Sequence, residues 1–488
     1  MAANRAPPAG GVGEMTAPLT QAEVGARLDR LRWSPLHTTI VVALGAGWLF
    51  DSFEVQTFSN AVGPLGDHFG ATVFERDAVL AVWLGGILVG ALAGGRLADR
   101  FGRRRMFVGT LVWYAGFTVL TGLSPDLGAV YGLRFLAALG VGAEYAIVSS
   151  AIAELIPARG RGKTSALVMN FWPAGAIAAG LLAYLVLDTL AIGDATSWRY
   201  LFVFGGLVAL VVLVFRRRIP ESPRWLVARG RHAEAEAILA ALETRTGRRA
   251  RLPVPAVAAG TQPRLRQGLG ELLRRYPGRL ALGALLDLAE AFGYYGIFAL
   301  LSVVVLHQVH ISDRAIPFFY IVGNVGGLAG GLAMSALFDR VGHRLTVGVA
   351  YLAAAGGIGL LAVATTTSDA ALVTVAFVVA SGAGTAAWTS AYPTFTELFP
   401  THLRGVGVGT SVSIGRVGAI VGTLALPSIA THLGATASYL LVIGFWLAGV
   451  AAIAAYSRRG GAEPARQPLE LVSRPARGRP ALPVEVPA

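Results

Sequence analysis

Apolar residues dominate long stretches of this 488-residue chain, and short polar segments separate them. Each stretch is close to the ~20 residues that a helix needs to cross a bilayer. The predicted spans are 37–62, 77–98, 106–123, 127–155, 165–187, 197–216, 280–306, 316–338, 344–367, 370–398, 407–431 and 436–456. The pattern therefore predicts an all-α membrane protein with twelve transmembrane helices, six on each side of a polar interval.

Positive charge is concentrated in alternate loops. Arginine is crowded in 100–105, 159–163, 216–279, 340–344 and 458–479, whereas the other set of loops has only Arg76, Arg199 and Arg314. Loops rich in Lys and Arg stay in the cytoplasm, so we expect a multi-pass protein of the cell membrane with both termini cytoplasmic. The predicted parts are an N-terminal tail (1–36), a six-helix bundle (37–216), a cytoplasmic central loop (217–278), a second bundle (279–457) and a C-terminal tail (458–488).

Composition supports this interpretation and excludes several classes of protein. The chain is 54% hydrophobic and 14% charged, whereas a soluble domain is about 25% charged. Its 62 glycines suit closely packed membrane helices. Without cysteine there is no thiolate metal site, and eight scattered histidines have no metal-ligand spacing. We expect no metal, no cofactor, no enzyme activity and no nucleic-acid partner, because the net charge of +13 is spread over loops.

The two halves of the chain repeat each other. Asp99-Arg100-Phe101-Gly102-Arg103-Arg104 recurs 240 residues later as Asp339-Arg340-Val341-Gly342-His343-Arg344. Glu154-x-x-Pro157-x-x-x-Arg161-Gly162 recurs as Glu397-x-x-Pro400-x-x-x-Arg404-Gly405, and Asp51-x-x-Glu54 has a counterpart in Asp287-x-x-Glu290. Several matches in order at nearly constant offset indicate a duplication, which is common in transporters.

The repeated loop resembles the signature of the major facilitator superfamily. Residues 95–104 are similar to the family's motif between helices two and three, and 220–226 to the sugar-porter motif after helix six. The resemblance covers about residues 37–457 and implies two pseudo-symmetric six-helix bundles, a central cavity and alternating access. Helices one and four look more like those of proton symporters of organic acids, including nicotinate and aromatic-acid transporters, than like hexose porters. Those symporters usually have aspartate where this chain has Glu54.

Charged side chains inside a span are costly and normally face a cavity or a partner. Asp51 and Glu54 lie three residues apart on the first predicted helix, so both can reach one cavity. We expect one of them, Asp51 ahead of Glu54, to carry the coupling proton with Arg134 as its switchable partner. A fixed structural ion pair is the alternative interpretation.

Arg416 has two interpretations as well. Its guanidinium can clamp a substrate carboxylate, or it can neutralise Asp287 or Glu290 across the bundle. Glu144 lies about ten residues from Arg134, roughly 15 Å along the helix, so it belongs to a different place. There it can support the cavity or contact substrate.

The repeated loop residues have a different expected role. Opposite charges on the two bundles can pair when the cytoplasmic face closes and separate when it opens, and the family resemblance implies such a gate; simple topogenic charge is the alternative. The predicted gate consists of Gly95, Asp99, Gly102, Arg103, Glu154, Arg161, Asp339, Arg344, Glu397 and Arg404.

Aromatic residues are further candidates for the cavity. The resemblance places Tyr294, Tyr295 and Trp388 on cavity-lining seventh and tenth helices, and Asn324 in the eighth span is a polar candidate. In membrane helices such residues also serve as packing or interface anchors.

The leading hypothesis is a secondary active transporter that couples a small polar metabolite, an organic acid, to proton symport. Its expected partners are substrate, protons and the lipid bilayer, and we expect a monomer. A proton-driven exporter of drugs or metabolites and a sugar or polyol symporter are the alternatives within the class. A membrane sensor would be expected to lose the coupling acids, and Asp51 is present.

Overall fold

The computed structural model describes residues 19–189, 196–217, 219–246, 265–301, 305–311, 315–400 and 403–463. Within these residues the chain is helical and contains no strand, which confirms the predicted all-α class. The helices of the first half are α1 (Gln21–Asp29), α2 (Pro35–Phe69), α3 (Val73–Phe101), α4 (Arg103–Gly122), α5 (Leu127–Leu155), α6 (Ala158–Met169), α7 (Phe171–Ala183) and α8 (Ser197–Arg216). Those of the loop and second half are α9 (Pro223–Ala228), α10 (His232–Thr246), α11 (Leu265–Arg275), α12 (Pro277–Leu300), α13 (Leu306–Gln308), α14 (Ile316–Val341), α15 (His343–Thr366), α16 (Ala370–Leu398), α17 (Arg404–Leu433) and α18 (Ala435–Arg458).

Eleven helical stretches in the described residues are long and apolar enough to cross a membrane. The remaining predicted span, 106–123, corresponds to α4, which begins with three arginines and is not among the eleven. Several helices run past their predicted ends, because polar residues continue the helix beyond the apolar stretch. The first, for example, extends over Pro35–Phe69 rather than 37–62.

The fifth predicted span is divided at Asn170, where α6 ends and α7 begins. Pro173 in the first turn of α7 has no N–H to bond the carbonyl four residues earlier, and a helix breaks readily at such a place. The Asn170 amide donates to the carbonyl of Ala166 and to the hydroxyl of Ser335 on α14, both at 2.8 Å. The break therefore joins the two halves of the molecule.

The halves are built in the same way, with close pairs of helices held by glycine. Gly90 of α3 lies against the carbonyl of Leu139 on α5, and Gly330 of α14 lies against Gly382 on α16. A side chain at either glycine would collide with the facing backbone, so the small residue permits the approach. The repeated turns also match, because Gly102 and Gly342 both have φ of +97°, a conformation open to glycine.

The predicted N-terminal tail contributes a helix to the surface. Val24 and Leu28 of α1 pack with Leu239 and Leu242 of α10 in a small core of their own. Arg27 binds Glu236 at 2.6 Å and Glu243 at 2.7 Å, and its hydrogen bonds hold the pKa of Glu236 below the ordinary value. Part of the tail and part of the central loop are thus one helical layer, whereas residues 1–18, 247–264 and 464–488 lie outside the described residues.

Candidate functional site

Aromatic side chains from both halves meet in the middle of the molecule. Trp48 of α2 lies 4.6 Å from Tyr145 of α5 and 5.5 Å from Trp388 of α16, measured between ring centroids. Trp172 of α7 lies 5.2 Å from Trp388 and donates its indole N–H to the hydroxyl of Tyr294 at 3.2 Å. We call Trp48, Tyr145, Trp172, Trp388 and Tyr392 the central aromatic cluster. Most of its ring pairs are edge-to-face, an arrangement that aromatic pairs prefer.

Arg416 lies beside this cluster on α17. Its guanidinium carbon lies 5.5 Å from the ring of Tyr145 and 5.1 Å from that of Tyr295, so the cation is placed between two aromatic faces. Nη1 donates to the Tyr295 hydroxyl at 2.9 Å, while Nε is buried without a hydrogen-bond partner. A guanidinium has five N–H donors, and at least the Nε donor of this buried cation is unused.

Two carboxylates of α12 lie next to Arg416. Asp287 Oδ2 is 3.9 Å from Nη2 of Arg416, which is an electrostatic contact and too long for a hydrogen bond. Both oxygens of Asp287 and Oε2 of Glu290 are buried without a hydrogen-bond partner. Gly415, directly before Arg416, allows α17 to pack against Asp287.

The first half contains a tighter ion pair. Arg134 Nη1 donates to Oε1 of Glu54 at 2.7 Å, and Thr118 donates to the same oxygen at 2.6 Å. Rings of Phe58, Trp83 and Phe202 lie 5.1–5.7 Å from the guanidinium carbon. The pair is fully buried, so its two charges depend on each other.

The structure corrects the expected partner of Arg134. We predicted Asp51 ahead of Glu54, but Arg134 binds Glu54. Three residues along a helix correspond to a rotation of 300° and a rise of about 4.5 Å, which is enough to give the two carboxylates different neighbours. Asp51 instead interacts with Glu144, Arg216 and Tyr114, and its Oδ1 is buried without a hydrogen-bond partner.

Glu144 is bound by Arg216, the last residue of the sixth predicted span, which was grouped with the arginines that follow it and not with the charged residues inside the spans. Arg216 also donates to the Tyr114 hydroxyl at 3.1 Å and to the Phe107 carbonyl at 2.8 Å. The spacing contained a signal for this role, because the buried residues Ala209 and Val212 precede Arg216 at the three- and four-residue steps of one helix face. Glu144 is therefore part of an ion pair in the first half rather than of the site around Arg416.

A small apolar cavity of ≈ 30 Å³ adjoins the cluster inside the second half. Its lining includes Gly293 and Tyr294 of α12, Phe377 of α16 and Trp446 of α18. Tyr294 lies between this cavity and the central aromatic cluster, with its ring 6.4 Å from that of Trp388.

Comparison with known proteins agrees with this architecture. Residues 46–456 match the family described as "Sugar (and other) transporter". This chain belongs to that family. It is a multi-pass membrane transporter of the major facilitator superfamily, so the predictions of the superfamily and of a transporter rather than an enzyme are confirmed.

The similar proteins include transporters that are named for small metabolites. The chain is 28% identical over 416 residues to the niacin transporter NiaP of Acinetobacter baylyi, covering 83% of this chain and 89% of that protein. It is 29% identical over 432 residues to the putative metabolite transport protein YyaJ of Bacillus subtilis, covering 86% and 92%. The structure of the proton:xylose symporter XylE bound to 6-bromo-6-deoxy-D-glucose is similar, with a TM-score of 0.72 and 20% identity over 89% of this chain and 98% of that chain. That likeness confirms the two-bundle fold.

Not all predicted site residues of the transporter come together. Tyr294, Tyr295 and Trp388 lie at the centre with Arg416. Asn324 donates to the carbonyl of Tyr320 in its own helix at 2.8 Å, and the described contacts do not join it to the central aromatic cluster. The sequence did not predict that Trp48 and Trp172 of the first half would pack against Trp388, or that Tyr145 would lie against Trp48.

At the arginine-rich end of the helices, the described ion pairs stay within one half. Arg103 binds Glu154 at 2.9 Å, and Arg344 lies 3.6 Å from Glu463. Arg404 donates to the carbonyls of Thr396 and Phe399 in its own half. The described contacts of these side chains lie within their own half, and the expected pairing of the loop residues across the two bundles stays a prediction. The side chains of Asp99, Arg161 and Asp339 lie outside the described part of the chain. Glu397 is buried.

Contact between the halves at this end is made by backbone and small residues of α3 and α17. Gly95 faces Gly405, Gly409 lies against the carbonyl of Ala91, and the Ser413 hydroxyl donates to the carbonyl of Leu88 at 3.0 Å. This α3–α17 contact joins the two halves at short range, and we expect it to act as the closure of the arginine-rich end.

We expect Gly409→Leu to prevent that closure, because its side chain would meet the carbonyl of Ala91. Alkylation of a cysteine placed at Ser413 by a polar maleimide, in protein held in nanodiscs, should become about tenfold faster when closure is lost. The chain has no native cysteine to interfere.

Gly116→Leu is the matched control for this experiment. Gly116 lies on α4 with nothing near the position of a side chain, so alkylation should stay at the parent rate. Equal alkylation rates in Gly409→Leu and Gly116→Leu would show that the α3–α17 contact does not gate the arginine-rich end.

Proposed function

We propose that this transporter moves a small organic carboxylate through the membrane by alternating access, coupled to proton symport. The observation that carries the proposal is Arg416, a buried cation between two tyrosine rings with a hydrogen-bond donor left unused. An unsatisfied buried donor is costly, and a carboxylate would satisfy it with a charge-assisted hydrogen bond. The niacin transporters among the relatives support a carboxylate substrate.

The rings around Arg416 favour a flat, apolar body on that carboxylate. Trp48, Trp172 and Trp388 offer faces and edges on which an aromatic ring can stack. A sugar or polyol has no charge to offer the guanidinium, whose one protein ion pair is the loose 3.9 Å contact with Asp287, so the arrangement favours an aromatic or similar organic acid over the sugar alternative. We propose nicotinate and benzoate as the first probes.

Proton coupling follows from the balance of buried charge. Five carboxylates of the described helices meet three arginines around the centre: Asp51, Glu54, Glu144, Asp287 and Glu290 against Arg134, Arg216 and Arg416. Ionised carboxylates without a counter-charge are not stable away from water, so the surplus groups bind protons. In the first half Glu54 and Glu144 each have an arginine, which leaves Asp51 as the coupling acid that we propose.

We further propose that the arginine-rich end of the helices faces the cytoplasm, with both termini on that side. Arginine in alternate loops supports this orientation. Inward proton flow would then drive uptake; an exporter would use the same groups with the substrate entering from the cytoplasm. We also expect the transporter to work as a monomer, because the central aromatic cluster is completed within one chain.

Counterflow into proteoliposomes tests the substrate proposal. Wild-type protein is expected to exchange labelled nicotinate or benzoate, whereas Arg416→Ala should bind these acids on the order of 100-fold more weakly, because a charge-assisted hydrogen bond in a buried site is lost. Arg416→Lys should recover little, since a lysine cannot reproduce the flat cation between two rings.

Arg274→Ala is the control for loss of a positive charge. Arg274 is exposed on α11, and its removal should leave counterflow at the wild-type level. Carboxylate affinity that is unchanged in Arg416→Ala would refute the clamp, and exchange of sugars in preference to acids would favour the sugar symporter.

A further inference from the structure

The ion pair of the second half is much looser than that of the first. Asp287 and Arg416 approach to 3.9 Å without a hydrogen bond, whereas Glu54 and Arg134 are bonded at 2.7 Å with Thr118 as a third partner. Asp287 is fully buried and neither of its oxygens has a hydrogen-bond partner. Arg416 is therefore a poorly satisfied partner for Asp287 and is available to another carboxylate.

The surroundings of Asp287 contain few groups that could replace Arg416. On its own helix, Glu290 is a second buried carboxyl group and so cannot supply a counter-charge, and Tyr295 is already bonded to Arg416. From α15, Tyr351 faces the pair but donates its hydroxyl to the carbonyl of Leu286 at 3.0 Å.

The other helices packed against α12 add no charge near Asp287 in the described residues. On α16 and α18 the charged residues, Glu397 and Arg458, lie at the helix ends. On α17, Arg404 and His432 also lie near the ends, and Arg416 is the residue of this helix that lies beside Asp287. If Arg416 is taken away, Asp287 keeps only negative or neutral neighbours.

We propose that the substrate carboxylate displaces Asp287 from Arg416 and that Asp287 then takes up a proton. This inference rests on the proposed function. The substrate keeps its charge and forms the ion pair with Arg416, the proton comes from water on the side to which the site is open, and no covalent bond of the substrate changes. Net charge in the buried site is the same before and after binding.

Charge neutrality is the physical reason for the exchange. The one arginine here already balances the charge of Asp287, and a further negative charge in a site that excludes water would be strongly unfavourable. Protonation of Asp287 removes one charge as the substrate brings one. Asp287 is thus a second proton site, in the other half of the molecule from Asp51, and its occupancy is linked to substrate binding.

Proton uptake during binding measures this linkage. Purified full-length protein in weakly buffered nanodiscs is mixed with nicotinate, or with benzoate, and a pH-sensitive dye follows the protons while calorimetry gives the amount bound. Wild type is expected to take up about one proton more per bound acid than Asp287→Asn. Binding of the acid to wild type should also weaken as the pH rises. The Kd of wild type should rise by up to about tenfold more per pH unit than the Kd of Asp287→Asn.

Two further variants make the result specific. Asp287→Glu keeps a titratable group and should restore the proton uptake, which loss of structure in Asp287→Asn would not predict. Glu271→Gln removes a carboxylate of α11 outside the site and should bind the acid with wild-type proton uptake.

The outcomes separate this inference from the proposed function. Wild type that binds nicotinate or benzoate without taking up protons refutes the exchange at Asp287, even if Asp287→Asn does not fold. Equal proton uptake by wild type and Asp287→Asn refutes it too. Failure of wild type to bind either acid refutes the carboxylate substrate itself, and this inference with it.

Discussion

Asp51→Asn is expected to exchange substrate across the membrane but to accumulate much less of it against a gradient. Asparagine retains the shape of the side chain and cannot release or bind a proton, so the proton that Asp51 carries is lost, while the proton that we propose at Asp287 remains. In proteoliposomes with an inward proton gradient, accumulation should fall well below the wild-type level, while counterflow of labelled substrate continues. The expected loss corresponds to the driving force of one proton.

The matched control replaces Glu144, the carboxylate that neighbours Asp51 in the same network. Glu144→Gln leaves Asp51 able to titrate but disturbs Arg216, so we expect lower protein yield with some accumulation remaining. Accumulation at the wild-type level in Asp51→Asn would show that another group carries the coupling proton.

Glu54→Gln is expected to destabilise the protein rather than to uncouple it. The change leaves Arg134 buried among three aromatic rings without a counter-charge, and loss of one partner of a buried pair costs about 3–5 kcal/mol. Thermal unfolding of the purified protein should shift down by on the order of 5 °C. Measurement by intrinsic fluorescence in one detergent, for wild type and variant, checks this.

The double variant Glu54→Gln, Arg134→Met distinguishes the two roles. Removing the stranded cation should recover most of the lost stability, because an apolar side chain suits the surrounding rings. If Glu54→Gln alone keeps wild-type stability and loses gradient-driven accumulation, Glu54 and not Asp51 is the coupling acid.

Much of the fold could be predicted, because length, apolarity and loop charge report directly on spans and on duplication. The repeated Gly102 and Gly342 turns have the same backbone geometry, as their shared motif indicates. Two features needed three-dimensional information. The break at Asn170 lies inside an apolar stretch, and the packing of α1 on α10 joins segments more than 200 residues apart.

The site was harder to predict than the fold. Charged residues inside spans were identified one by one, but their partners depend on helix rotation. Asp51 and Glu54 point about 60° apart around α2, and this difference gives Arg134 to Glu54. Arg216 ends the sixth predicted span and was counted only with the arginines that follow it, although its helix face continues from Val212. The convergence of Trp48 and Trp172 on Trp388 was not predicted, because it needs both bundles in place.

That convergence gives the molecule its own optical label. Trp48 and Trp172 belong to the first half and Trp388 to the second, with centroids 5.2–5.9 Å apart. Indole emission depends on neighbouring rings and on water, so rocking of the halves changes the fluorescence of these three among the nine tryptophans of the chain. Each transport cycle can thus be timed in unlabelled protein, provided that the remaining tryptophans are replaced by phenylalanine.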